Sequence, residues 1–93
     1  MTDVHKAVVS AERDLRSCLR TLQRSHEMMA NALKHRRHEM TGQSIAKIES
    51  AIARHELAMR LCEFGLSRMP EGITARARHL TAIMGSLDEL CSD

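Results

Sequence analysis

The sequence has no tryptophan and no tyrosine, and its one phenylalanine is Phe64. A core must therefore be built from Leu, Ile, Met, Val and Ala, a palette that suits packed helices and suits sheets poorly. Proline occurs once, at Pro70, and the four glycines stand isolated, so there is no glycine-rich loop to cradle a phosphate. No stretch approaches the roughly 18 apolar residues that a membrane-spanning helix requires. The three cysteines, Cys18, Cys62 and Cys91, are far apart in the chain and form no C-x-x-C pair. With a polar, charged opening, MTDVHKAVVS, that reads as no signal peptide, the expectation is free thiols in a reducing cytoplasm.

What is present is a chain of 93 residues, one domain's worth. A chain of this size hides only about 60–65% of its extended surface on folding, so a self-sufficient core is possible but thin. Seven methionines supply adaptable apolar surface, useful for filling gaps in a core and for lining a partner groove. The formal charge is only +2 with the six histidines neutral, and its distribution says more than its sum. Residues 13–37 carry seven Lys and Arg against Asp14 and Glu27, whereas the last six residues carry Asp88, Glu89 and Asp93 and no base.

The apolar positions recur by threes and fours along three segments, which predicts an all-α fold: a long antiparallel helical hairpin plus a shorter third helix. The first helix spans about residues 3–40, from Val4 through Leu15, Leu22, His26, Met29 and Leu33, with Thr2 or Asp3 as its N-cap. Arg36 and Arg37 fall where its stripe should continue. Gly42 is expected to end it in a left-handed C′ conformation, with Thr41 or Ser44 capping the second helix, about residues 44–68. Pro70 enforces the next break, and a third helix follows over about residues 73–90. A hairpin centred on Gly42 sets His26 opposite Met59, His55 opposite Met29, and Cys18 and Cys62 at the level of Leu66 and Leu22.

The second helix carries two apolar rows. One, Ile48, Ile52, His55, Met59, Cys62 and Leu66, is the hairpin seam. The other, Ala53, Leu57, Leu61 and Phe64, leaves the helix apolar around most of its circumference between Leu57 and Leu66, the mark of a helix with neighbours on more than one side. The third helix or a second chain can supply them. The leading reading is a non-enzymatic protein–protein interaction module, an adaptor or small chaperone with a protein partner or itself as partner, and with no membrane and no cofactor. Its binding surface is expected at Leu57, Leu61 and Phe64, with Met28 contributing from the first helix.

Two alternatives use other residues. Arg13, Arg16, Arg20 and Arg24, followed by Lys34, Arg36 and Arg37, form a strip that could track a nucleic-acid backbone, although aromatic stacking residues and a compact helix-turn-helix are missing. His26, Met29, His55 and Met59 form the second set, a layer of soft ligands suited to copper(I) or to a haem iron. Against that stands the plainer role of the two imidazoles as hydrogen-bonded polar residues that fix helix register. His35, His38, Glu39 and Glu49 near the hairpin tip offer an adventitious zinc or nickel site at most. The run H-R-R-H-E matches neither zinc-protease motif.

Overall fold

A computed structural model describes residues 3–91. Three α-helices account for nearly all of them: α1, Asp3–Arg36; α2, Gly42–Ser67; and α3, Ile73–Cys91. The molecule is a rod of 55 × 21 × 19 Å, its length set by α1, whose 34 residues span about 51 Å at 1.5 Å per residue.

The first helix ends earlier than its periodicity predicts. After Arg36 the chain tightens into a 3₁₀ turn, Arg37–Glu39, closed by the Met40 N–H donating to the Arg37 carbonyl at 3.1 Å. The cause is visible in the sequence: at Arg36 and Arg37 the apolar stripe fails, so no packing holds the last turn to α geometry, and i→i+3 bonds take over the orphan carbonyls. Thr2, one of the two candidate N-caps, lies outside the described residues, and Asp3 belongs to the first turn of α1, where its charge complements the helix dipole.

Gly42 is not a left-handed C′ residue. It is the first residue of α2, two positions ahead of the expected start, because Thr41 caps it: the Thr41 hydroxyl accepts from the Ser44 N–H at 3.1 Å, and the Thr41 carbonyl accepts the Ile45 N–H. The only positive φ among the described residues is at Gly72, 89°. There it turns the chain into α3 while its carbonyl accepts the Arg76 N–H at 3.0 Å.

Helix α2 runs antiparallel to α1, with His26 beside Glu56 and Arg37 beside Glu49. Helix α3 then turns back along α2: His79 meets Gly65, and further on Leu90 and Cys91 share a groove with Ala58, His55 and Leu22. All three helices contribute to one small core of Val8, Leu15, Ala58, Cys62, Leu80, Ile83 and Leu87, in which Leu15 and Cys62 are 0% exposed. Half-buried Leu19, Leu22, Leu61, Leu66 and Met84 surround it.

The α2 side of this core differs from the predicted seam. Its buried residues are Ala58, Cys62 and Gly65, with His55 and Met59 only half-buried. Small side chains occupy the line because α3 packs there closely: a Cβ on Gly65 would stand 3.0 Å from Ile83 Cγ1. Two further contacts hold α3 in place. The His79 Nε2–H donates to the Gly65 carbonyl at 2.8 Å, satisfying one of the last four carbonyls of α2. Arg76 donates from Nε to the Pro70 carbonyl at 2.9 Å and from Nη1 to Glu12 of α1 at 3.4 Å.

Candidate functional site

The expected binding row on α2 divides in two. Leu57 and Phe64 stand 52% and 51% exposed, whereas Leu61 between them is half-buried and packs against the core. Spacings of four and three residues put all three on one helical face. The Arg68 guanidinium lies 5.4 Å from the Phe64 ring centroid, a cation–π contact that restrains the exposed ring. Met28, 73% exposed, belongs elsewhere. It continues the Arg20–Arg24 row by steps of four on the outer face of α1, turned away from the seam of Leu22, His26 and Met29.

A second apolar surface was not expected as a site. A groove of about 540 Å³ runs between α1 and α3, lined by Val4, Ala7, Val8 and Ala11 on one side and Ala77, Leu80, Met84 and Gly85 on the other. Its signal lay in the sequence as small residues on both helices, Ala7, Ala11, Ala77 and Gly85, interspersed in rows that read as ordinary seams. Val4 and Val9 are themselves exposed.

The basic residues Arg13, Arg16, Arg20, Arg24, Lys34, Arg36 and Arg37 are all exposed, yet they do not form one uninterrupted cationic strip. Arg16 reaches Glu12 at 3.8 Å, and Arg37, displaced into the 3₁₀ turn, reaches Glu49 at 3.9 Å. Glu49 is thereby directed to Arg37, while His38 sits 3.7 Å from its neighbour Glu39.

The two seam histidines have partners. His26 Nε2 lies 3.1 Å from Glu56 Oε1, linking α1 to α2, and His55 Nδ1–H donates to the Ala51 carbonyl at 2.8 Å within its own helix. Met29 and Met59 are half-buried. Among the described residues, no group of three or more His, Cys, Asp or Glu is arranged to hold a metal.

Cys62 lies within the shared core, and Cys18 packs against that core from α1. The hairpin connection is asymmetric, a 3₁₀ turn on one side and a capped start at Gly42 on the other. Burial, and then the neighbouring Cys18, pushes the Cys62 thiol up from 9.0 to about 11. Cys18 is half-buried and Cys91 is exposed, and all three are free thiols.

No helix among the described residues is long and apolar enough to cross a membrane. Compared with protein-family models, with curated proteins and with solved structures, the chain matches none.

Proposed function

We propose that this chain is a non-enzymatic helical interaction module, an adaptor or small chaperone, that pairs with another helix through the face of α2 centred on Leu57 and Phe64. The observation that carries this reading is that two large apolar side chains, about two turns apart and flanking Leu61, remain half exposed after α1 and α3 have docked. Leucine and phenylalanine presented at i, i+4 and i+7 are the anchors of helix-in-groove and coiled-coil recognition. The simplest partner is a second copy, whose own α2 offers the same row. Free thiols at Cys18, Cys62 and Cys91 suit a cytoplasmic setting.

The test is the molar mass by light scattering over a dilution series, comparing the wild type with a Leu57→Glu/Phe64→Glu variant. Both positions are half exposed, so the variant is expected to stay helical. Concentration-dependent association in the wild type that vanishes in the variant supports the reading with self as partner. Association that survives the double substitution places the interface elsewhere.

A second reading rests on Arg13, Arg20 and Arg24, which lie exposed on the outer face of α1 with Lys34 beyond them. Phosphate contacts there would give sequence-tolerant, salt-dependent binding. Replacing all three arginines by Gln should abolish retention on DNA or RNA and flatten its salt dependence, and no retention of the wild type at low salt removes this reading.

A further inference from the structure

Helix α2 turns one face away from both of its neighbours. Its buried residues, Ala58, Cys62 and Gly65, lie on one side, and on the opposite side Ala46, Ser50, Ala53, Leu57, Arg60 and Phe64 are all exposed. Steps of four and three alternate along that row, so it follows the helix as the seam of a coiled coil does. Ser50, Leu57 and Phe64 take the a positions of the heptad, and Ala46, Ala53 and Arg60 take the d positions.

The flanks of this seam carry opposite charges. The residues that precede the a positions are Glu49, Glu56 and Glu63, all exposed. Those that follow the d positions are Lys47, Arg54, Leu61 and Arg68, exposed except for half-buried Leu61. That segregation decides between the two ways in which a second copy can lie on this face. In an antiparallel pair each flank meets its own kind, glutamate against glutamate and cation against cation. In a parallel pair each glutamate meets the residue five positions further along the other chain, the g-to-e′ contact of coiled coils. Glu49 then faces Arg54 of the second copy and Glu63 faces its Arg68, each contact occurring twice by symmetry.

We propose that α2 pairs with α2 of a second copy as a short parallel coiled coil, two-fold symmetric and in register, with Leu57 and Phe64 as its apolar layers and Glu63 bound to Arg68 across the interface. This rests on the reading of the Leu57–Phe64 face as the pairing surface and adds its orientation and register. Arg60 is the one charged side chain on the contact line. Its aliphatic stem can cover apolar surface while the guanidinium stays in water, and Glu56 and Glu63 stand one turn to either side of it on the same helix. A charged residue at such a position fixes register at a cost in stability, so the pairing is weak and is favoured by low salt. Glu49 and Glu56 are also drawn toward α1, by Arg37 at 3.9 Å and His26 at 3.1 Å. Glu63 enters no ion pair among the described residues, which makes its contact with Arg68 the one to test. Parallel pairing also sets both 3₁₀ turns at one end of the assembly, so that two copies of the α1–α3 groove are displayed together, a bivalent arrangement.

The experiment is sedimentation equilibrium of the full chain from about 1 µM to 1 mM in low-salt buffer. It compares the wild type, Glu63→Arg, Arg68→Glu and an equimolar mixture of the two variants. Both positions are exposed, so circular dichroism should show unchanged helix content. Each variant alone sets like charges against each other at two symmetric contacts, and its self-association should weaken by about tenfold. In the mixture both contacts are attractive again with their signs exchanged, and association should return close to that of the wild type. Arg68→Glu also releases the Phe64 ring, so Glu63→Arg carries the decisive sign. If Glu63→Arg associates as tightly as the wild type or more tightly, the parallel register is overturned while the α2 face stands as the pairing surface. A mixture no tighter than the single variants overturns it as well. A wild type that stays monomeric throughout, or one whose association survives Leu57→Glu/Phe64→Glu, overturns the proposal together with the self-pairing reading beneath it.

Discussion

Gly65 and Ile83 mark the closest approach of α2 to α3: a Cβ at position 65 would lie 3.0 Å from Ile83 Cγ1 and 3.2 Å from its Cγ2. Ile83 is only 5% exposed and has little room to yield, being branched at Cβ and enclosed by the core. Gly65→Val is therefore expected to cost about 1–3 kcal/mol, the usual range for overpacking. The gain in helix propensity over glycine, under about 1 kcal/mol, offsets only part of this. Thermal unfolding followed by circular dichroism should show the loss, and adding Ile83→Ala should recover part of it. Independent, additive effects of the two substitutions would mean that the contact does not limit the packing.

The same carbonyl of Gly65 accepts from His79, and Arg76 bridges the Pro70 carbonyl and Glu12. Replacing His79 by Leu keeps bulk but leaves the Gly65 carbonyl without that donor. A loss of about 1 kcal/mol is expected, in line with one hydrogen bond at a partly buried position. Arg76→Met should cost a similar amount, since its contacts are to α1 and to the loop preceding α3. Hydrogen exchange gives the discriminating readout: amides of α3 should lose protection in both variants before those of the α1–α2 hairpin do. Uniform loss across all three helices would show that α3 is not a separable element.

The three helices were legible because apolar residues recur by threes and fours, and because Pro70 and Gly72 interrupt that recurrence. The docking of α3 was legible only in part. Periodicity shows that Ile73, Leu80, Ile83 and Leu87 share a face, but it cannot show that His79 will find a free carbonyl at the end of α2. The start of α2 was misread for a local reason. Glycine at position 42 suggested the centre of a turn, whereas the Thr41 hydroxyl captures the Ser44 N–H and starts α2 earlier. Leu61 and Met28 illustrate the limit for surfaces. A face can be assigned from periodicity, but how far a docked neighbour covers it, or which outer face it joins, is decided by tertiary packing.

The Cys62 thiol, raised to about 11 from 9.0, makes stability depend on alkaline pH. The folded state holds this proton more tightly than the unfolded chain does. Its contribution is therefore intact below the unfolded value near 9 and is lost as pH rises through about 11. The span of the loss is about 2–3 kcal/mol, from roughly two pKa units at 1.36 kcal/mol each. Urea titrations of the reduced protein at pH 8, 9, 10 and 11 should show a progressive fall in midpoint. In Cys62→Ala the fall should be shallower, whatever the variant's starting stability. Parallel pH profiles in the two proteins would assign the alkaline loss to other groups.

Leu61 and Phe64 are close on α2, yet they should respond to a glutamate in opposite ways. Leu61 packs against the core and is half-buried, so Leu61→Glu forces a charge toward apolar neighbours and should lower stability by about 2–4 kcal/mol. Any loss of association in that variant confounds unfolding with interface damage. Phe64 is half exposed and carries the exposed Arg68 guanidinium over its ring. Phe64→Glu should therefore change the urea midpoint little, by about 1 kcal/mol or less, while removing the anchor from the proposed helix-pairing face. Measuring unfolding and molar mass on both variants separates the two effects. If Phe64→Glu unfolds the protein as Leu61→Glu does, the ring belongs to the core, and the exposed face of α2 loses its claim as the binding surface. If Phe64→Glu folds normally and still associates, that face is solvated surface, and the groove between α1 and α3 becomes the apolar surface left to account for association.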